Sequence, residues 1–189
     1  TADESNVERE DFLLAVSDLY VQKNFSRLLA AVAVLRDTHP NIRLKIAGRA
    51  LDDEYHAALL RDVERLGLTD HVEFLGHVAP DDLLDLYRRC GVFVFPSLVE
   101  TFGNSLVEAM ACGAPVAASN TAAMPEVAGE GSLYFDPKDV PDMASVLGLL
   151  LDDPERRRAS GQKALERAKS YSWSSTAEKT LSILLDATS

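Results

Sequence analysis

Glu100 and Glu108 flank Thr101-Phe-Gly-Asn-Ser105, a stretch with the residue types to hold an anion and hydroxyl groups at once. The backbone N–H groups of Phe102 to Ser105 fall at or just before a first helical turn, where no intrahelical acceptor exists. With the positive end of the helix dipole, they form a site for an anion such as phosphate. Gly103 lets that anion approach the backbone, because no side chain stands in its way. Glu108 lies four residues past Asn104 and three past Ser105, so the three share one helix face. Glu100 precedes the helix and reaches the same place from the loop. Carboxylates beside an anion cradle are out of place unless they hold hydroxyls, so the arrangement points to a sugar phosphate ligand.

The flanking elements position this stretch. Val92-Phe-Val-Phe95 is an unbroken β-branched and aromatic run, the pattern of a central strand buried on both faces. Ala109-Met-Ala-Cys-Gly113 reads as a helix end with a glycine stop. Upstream, Phe12–Val16 is a short apolar strand followed by a polar loop through Lys23 and Asn24. Phe25, Leu28, Leu29, Val32 and Leu35 recur at helical spacing, ending near His39-Pro40. Ile42, Leu44 and Ile46 alternate with Arg43 and Lys45 in a strand that stops at Gly48. A helix over Asp53–Leu66 follows, then a strand over His71–Gly76 and a short helix opened by Pro80. Downstream, strands are expected at Pro115–Ala118 and Ser132–Phe135, separated by a helical turn at Pro125–Ala128. Helices follow at Val140–Leu151, from Pro154 to about Lys169, and after Trp173. Six βα units imply a doubly wound, six-stranded parallel sheet of Rossmann type with helices on both faces. Its ligand crevice belongs at the switch in strand order. Residues 1–10 read as a linker. Residues 11–189 read as one domain, with C-terminal helices from about 139.

The 189 residues carry 30 acids against 19 bases, a net charge of -11, with 47% hydrophobic residues. No basic stripe marks a nucleic-acid surface, and nothing favours docking to an anionic membrane. No run is long and apolar enough to span a bilayer. Cys90 and Cys112 lack metal spacing and read as buried thiols of a reducing, cytoplasmic compartment. No G-x-G-x-x-G, Walker or G-x-S-x-G motif is present, which argues against nicotinamide, ATPase and serine-hydrolase chemistry. His39, His56, His71 and His77 are scattered, and only His77, just past the third strand, is placed to face the crevice. No D-x-D occurs, so no metal site is expected and amides and cations must meet the charge on a diphosphate. The chain begins with Thr1, which suits a piece of a longer protein.

Glu100 and Glu108 match the E-x7-E signature of the retaining family 4 glycosyltransferases, or glycosyl transferases group 1. Phe95-Pro-Ser97 before it and Ala109-Met-Ala-Cys-Gly-Ala-Pro-Val116 after it match as well. So, in order, do Ile46-Ala-Gly48, Val72-Glu-Phe-Leu-Gly76, Pro125-Glu126 and Phe135-Asp-Pro137. The chain therefore resembles the C-terminal, nucleotide-sugar-binding domain of a GT-B enzyme over about residues 11–150. The resemblance implies a metal-independent, retaining hexosyltransferase that needs no cofactor. Its donor would be a nucleoside diphosphate sugar, UDP- or GDP-linked, and its acceptor would be held by an N-terminal domain absent from this chain. It implies Glu100 and Lys23 as the catalytic residues, Glu100 contacting sugar hydroxyls and Lys23 neutralising the departing diphosphate. The amides of Phe102, Gly103 and Asn104 would meet sugar oxygens and phosphate, Glu108 the ribose. Ser105, Gly48 and the Gly76-His77-Val78 loop, near the nucleobase, complete the donor site.

Two departures stand out. Asp18 occupies the position, five residues before Lys23, where the family usually has an arginine, and Arg49 is a candidate to supply that missing cation. Ala122-Ala123 replaces a glycine pair before Pro125-Glu126. These keep a second class open, a non-catalytic nucleotide-sugar-binding or regulatory module, and a third, a GT-B sugar-nucleotide epimerase. Plain structural roles are also available. Glu108 could be a first-turn acid complementing the helix dipole, a stabilisation of about 0.3–1 kcal/mol. Glu126 reads as a helix-start acid, Lys23 as a solvated loop lysine, and Trp173 as the residue packing the last helix onto the body.

Overall fold

The computed structural model describes residues 9–187. Six strands, β1 (Leu13–Val16), β2 (Leu44–Ala47), β3 (Val72–Gly76), β4 (Val92–Phe95), β5 (Val116–Ser119) and β6 (Leu133–Phe135), form one sheet. Its order is β3-β2-β1-β4-β5-β6 and every pairing is parallel. The expected doubly wound, Rossmann-like architecture is present, and strand order reverses between β1 and β4. The helices are α1 (Phe25–Arg36), α2 (Asp53–Arg65), α3 (Pro80–Arg89), α4 (Asn104–Ala111), α5 (Met124–Ala128), α6 (Val140–Asp152), α7 (Pro154–Ala168) and α8 (Trp173–Ala187).

Side-chain alternation along the strands divides the core in two. Leu13, Ala15, Val92 and Val94 point to the layer containing α1, α2 and α6, where Leu28, Val32, Leu59 and Leu147 are buried. Leu14, Phe93 and Phe95 point to the opposite layer, against Leu106, Met110, Val127 and Ala164 of α4, α5 and α7. A period of two on each strand thus supplies both faces at once. All four residues of β4 are buried, as expected of a central strand hydrogen-bonded on both edges.

Local chemistry starts the helices. Asp52, Asp139 and Asp153 each accept a hydrogen bond from a backbone N–H three residues on, at Tyr55, Asp142 and Arg156. Such caps satisfy one of the orphan donors at a helix start. Pro80, Pro141 and Pro154 stand in the first turns of α3, α6 and α7, where a missing N–H costs nothing.

Three details differ from the sequence expectation. Residues 1–8 of the stretch read as a linker lie outside the described residues, and the two that follow are tied into the domain. The Arg9 guanidinium donates to the carbonyls of Tyr87 and Cys90 at the end of α3 and of Cys112 and Gly113 after α4. Glu10 N–H donates to the Arg89 carbonyl at 2.7 Å. Trp173 does not pack α8 onto the body; it is 86% exposed, and α8 buries no residue. Its apolar residues thus face outward rather than into either core layer. Glu108 stands in the second turn of α4, past the reach of the helix dipole's first-turn effect, so that explanation of its charge fails. Among the described residues no helix is long and apolar enough to cross a membrane.

Candidate functional site

A crevice of about 450 Å³ opens outside the carboxyl ends of β1, β2 and β4. Its walls bring together Lys23, Gly48, His77, Glu100, Phe102, Gly103, Asn104, Ser105 and Glu108, residues spread over eighty-five positions of sequence. Asp18 also lines it, and Arg49 does not.

One wall is the segment between β4 and α4. Gly103 adopts φ 89°, and a Cβ there would sit 3.2 Å from the Phe95 ring, so the turn into α4 requires glycine. The amide of Leu106 is bonded to the Gly103 carbonyl at 3.1 Å; the N–H groups of Asn104 and Ser105 precede it at the helix tip. The Ser105 hydroxyl donates to the Val16 carbonyl at 2.9 Å, which pins the start of α4 to the end of β1. Ser105 therefore offers its amide to the crevice while its side chain is engaged.

The opposite wall comes from the loop after β1. A 3₁₀ turn over Val21–Lys23 is followed by Asn24 in the left-handed region, φ 61°, a conformation asparagine tolerates better than most residues. Asn24 is 3% exposed, and its amide donates to the Pro96 and Pro137 carbonyls at 3.0 and 2.8 Å. Those bonds hold the loop against the segment after β4, and the Leu98 N–H donates to the Gln22 carbonyl at 2.9 Å. Lys23 is thereby set beside Glu100: its ammonium donates to the carboxylate, which also accepts from the Ser97 hydroxyl at 3.2 Å. Both side chains are mostly covered, 12% and 17% exposed, so Lys23 is no solvated loop lysine.

The floor is formed by the close approach of two strand ends. Gly48, φ 153°, lies so near the loop after β1 that a Cβ would fall 1.9 Å from the Ser17 carbonyl oxygen. Beside it, Asp18 accepts from the Arg49 backbone N–H at 2.8 Å and from its guanidinium at 2.9 and 3.3 Å. The hydrogen bonds from Arg49 hold the Asp18 carboxyl below its ordinary range, with His77 contributing. The candidate cation is thus engaged by the acid that replaces the expected arginine. As it stands, the crevice is lined by three carboxylates, those of Asp18, Glu100 and Glu108, against one lysine.

Sequence reasoning missed Tyr87. It lies among the apolar residues of α3, and its ring meets Phe93 edge-on at 5.6 Å. Its hydroxyl, however, donates to Glu108 Oε2 at 3.0 Å. Burial, then the neighbouring carboxylate, pushes the phenol's ionisation well above its ordinary 10.0, so it remains a donor. An aromatic bearing a hydroxyl on the buried face of a helix was the available signal. Glu126 occupies the first turn of α5, consistent with a helix-start acid.

The family model described as glycosyl transferases group 1 matches residues 2–167. The serotype-specific mannosyltransferase WbdA of Escherichia coli is 34% identical over 169 residues, covering 89% of this chain and 21% of that protein. The sucrose-phosphate synthase of Thermosynechococcus elongatus superposes with a TM-score of 0.85 at 28% identity, over 95% of this chain and 46% of that one. Anabaena HepE in complex with UDP and glucose gives 0.84 at 25% identity, over 95% and 49%. This chain spans less than half the length of each of these relatives.

Proposed function

The chain belongs to the glycosyl transferases group 1 family, and from that premise we propose that it is the donor-binding domain of a retaining hexosyltransferase. The donor is a nucleoside diphosphate sugar, and the acceptor is held by an N-terminal domain of the same protein. The observation that carries this reading is the crevice itself. Free amides at the tip of α4, a covered lysine and two glutamates face one volume at the switch between β1 and β4. HepE, similar over 95% of this chain, is a complex with UDP and glucose, which agrees with a nucleotide-sugar donor.

The chemistry follows from the partners. Lys23 and Glu100 form an ion pair in which each neutralises the other. An incoming diphosphate offers Lys23 a stronger partner, and the released Glu100 carboxylate then accepts from sugar hydroxyls. The Phe102, Gly103 and Asn104 amides take sugar and phosphate oxygens, and Glu108, oriented by Tyr87, takes the ribose hydroxyls. Ser105 contributes its amide, Gly48 admits the ligand close to the backbone, and His77 borders the nucleobase. Cleavage of the anomeric C–O bond leaves its electron pair on the diphosphate, and the acceptor hydroxyl's oxygen attacks from the same face while its proton passes to the departing phosphate oxygen. Donors fixed before reaction stabilise that developing charge without reorganising. In this reading amides and one ammonium group meet the diphosphate, in place of a metal ion.

Titration calorimetry with UDP-, GDP- and ADP-sugars tests the reading. One of the three binds; absence of heat with all of them defeats it.

The Asp18 carboxylate in the crevice favours a second reading, a nucleotide-sugar-binding module without catalysis. Assaying transfer by the full-length protein separates the two, since a module yields no glycoside under conditions where it binds donor.

A further inference from the structure

We propose that Tyr171 is a positioning residue for the donor site, acting through Phe102 on the segment that meets the phosphates. The proposal rests on the donor-binding reading above and adds a residue outside the crevice to it. Phe102 stands between Glu100 and Gly103, lines the crevice and is 39% exposed. A large apolar ring on such a loop would ordinarily be free to turn. Here it meets the Tyr171 ring edge-on, with centroids 5.5 Å apart and planes at 81°.

Tyr171 is itself held from several sides. It lies in the short connection between α7 and α8, and its N–H donates to the Ala168 carbonyl at 3.0 Å. Its hydroxyl donates to the Val127 carbonyl at 3.1 Å and accepts from Arg167 at 2.9 Å. The same guanidinium lies 5.2 Å from the ring centroid and donates to the Glu126 and Val127 carbonyls at 2.6 and 3.2 Å. Arg167 and Tyr171 are thus fastened to α5, and the tyrosine presents Phe102 with a fixed surface.

The consequence is preorganisation. The Phe102 segment passes into α4 through Gly103, whose conformational freedom leaves the loop little stiffness of its own. Its amides serve a phosphate only when they converge, and an unfixed loop must lose entropy at the moment of binding. A ring packed on Tyr171 removes part of that loss beforehand. The side-chain roles of Lys23 and Glu100 do not depend on it, because their loops are fastened separately by Asn24.

The test is calorimetry on this chain with UDP, GDP and ADP, and with uridine, guanosine and adenosine, which lack phosphate. Tyr171→Ala is expected to weaken the nucleoside diphosphate that binds by roughly 3- to 10-fold, the size of an aromatic pair contact, and to leave its nucleoside unchanged. Tyr171→Phe keeps the edge contact but loses the hydroxyl's bonds to Val127 and Arg167, so it recovers part of the affinity. If Tyr171→Ala fails to fold, Tyr171→Leu, which keeps apolar bulk without a ring, takes its place in the same comparison. Equal binding of diphosphate by wild type and the ring-less variant overturns the proposal. So does equal weakening of diphosphate and nucleoside, which would mean general loosening. If wild type binds none of UDP, GDP and ADP, the donor reading falls and this proposal with it; if wild type binds and only the ring effect is missing, the donor reading stands alone.

Discussion

Replacing Tyr87 with phenylalanine isolates one bond at the site. The ring is 2% exposed and packs edge-on against Phe93, so Tyr87→Phe keeps shape and packing. What disappears is the hydroxyl that donates to Glu108 Oε2 at 3.0 Å. A hydrogen bond to a charged group is worth about 1.5–3 kcal/mol. Glu108 borders an open crevice and can turn to water, so the lower end, about 1.5 kcal/mol of folding stability, is expected. In donor binding, Glu108 must then be immobilised by the ligand alone. Fixing one such side chain costs about 0.5–1.5 kcal/mol, which weakens the nucleotide sugar roughly 2- to 12-fold. Calorimetric titration gives the affinity, and urea unfolding on the same preparations gives the stability. Normal donor binding by Tyr87→Phe beside weakened binding by Glu108→Gln would refute the claim that the phenol positions the carboxylate. Normal binding by both variants would remove Glu108 from the donor site altogether.

Three further outcomes are expected. Asp18→Arg changes the local charge by two in favour of a diphosphate and frees Arg49, so donor affinity should rise roughly tenfold at low salt and less at high salt; unchanged affinity at both salt concentrations would refute the electrostatic reading. Ala122 holds φ 50°, a conformation that costs a non-glycine residue about 1–2 kcal/mol, so Ala122→Gly should stabilise the fold by about 1 kcal/mol after the glycine's own entropy loss, read as a higher urea midpoint. Burial pushes the Cys90 thiol from its ordinary 9.0 up to about 12, so between those pH values the unfolded chain has lost a proton that the native state keeps. Stability should therefore fall as pH rises through that window, by up to about 1.4 kcal/mol per pH unit for this one group, and Cys90→Ala should flatten the slope in urea unfolding.

Much of the fold was legible because its signals are local. The four apolar residues of β4, the helical spacing of the apolar residues of α1, and the prolines that open α3 and α7 each state their element within a few positions. Element edges moved by a residue or two, as at β1, which begins at Leu13 rather than Phe12, because the last bonds of a strand depend on its neighbour. The E-x7-E stretch was legible too, since the spacing from Asn104 to Glu108 is a property of one helix.

The pairings in and around the crevice were not legible. Lys23 with Glu100, Asp18 with Arg49, Tyr87 with Glu108 and Phe102 with Tyr171 join residues 77, 31, 21 and 69 positions apart. No periodicity encodes such partners. Asp18 looked like the loss of a cation and turned out to engage the nearest candidate replacement. Trp173 looked like a packing residue because its size favours burial, yet α8 presents no buried face among the described residues. The sequence by itself determined which segments become strands and helices and which loop carries the acids, because backbone preference and side-chain alternation act over a few residues. Tertiary structure alone decided which charge faces which, because strand order brings together loops that the chain keeps far apart, and only that juxtaposition sets the electrostatics of the crevice.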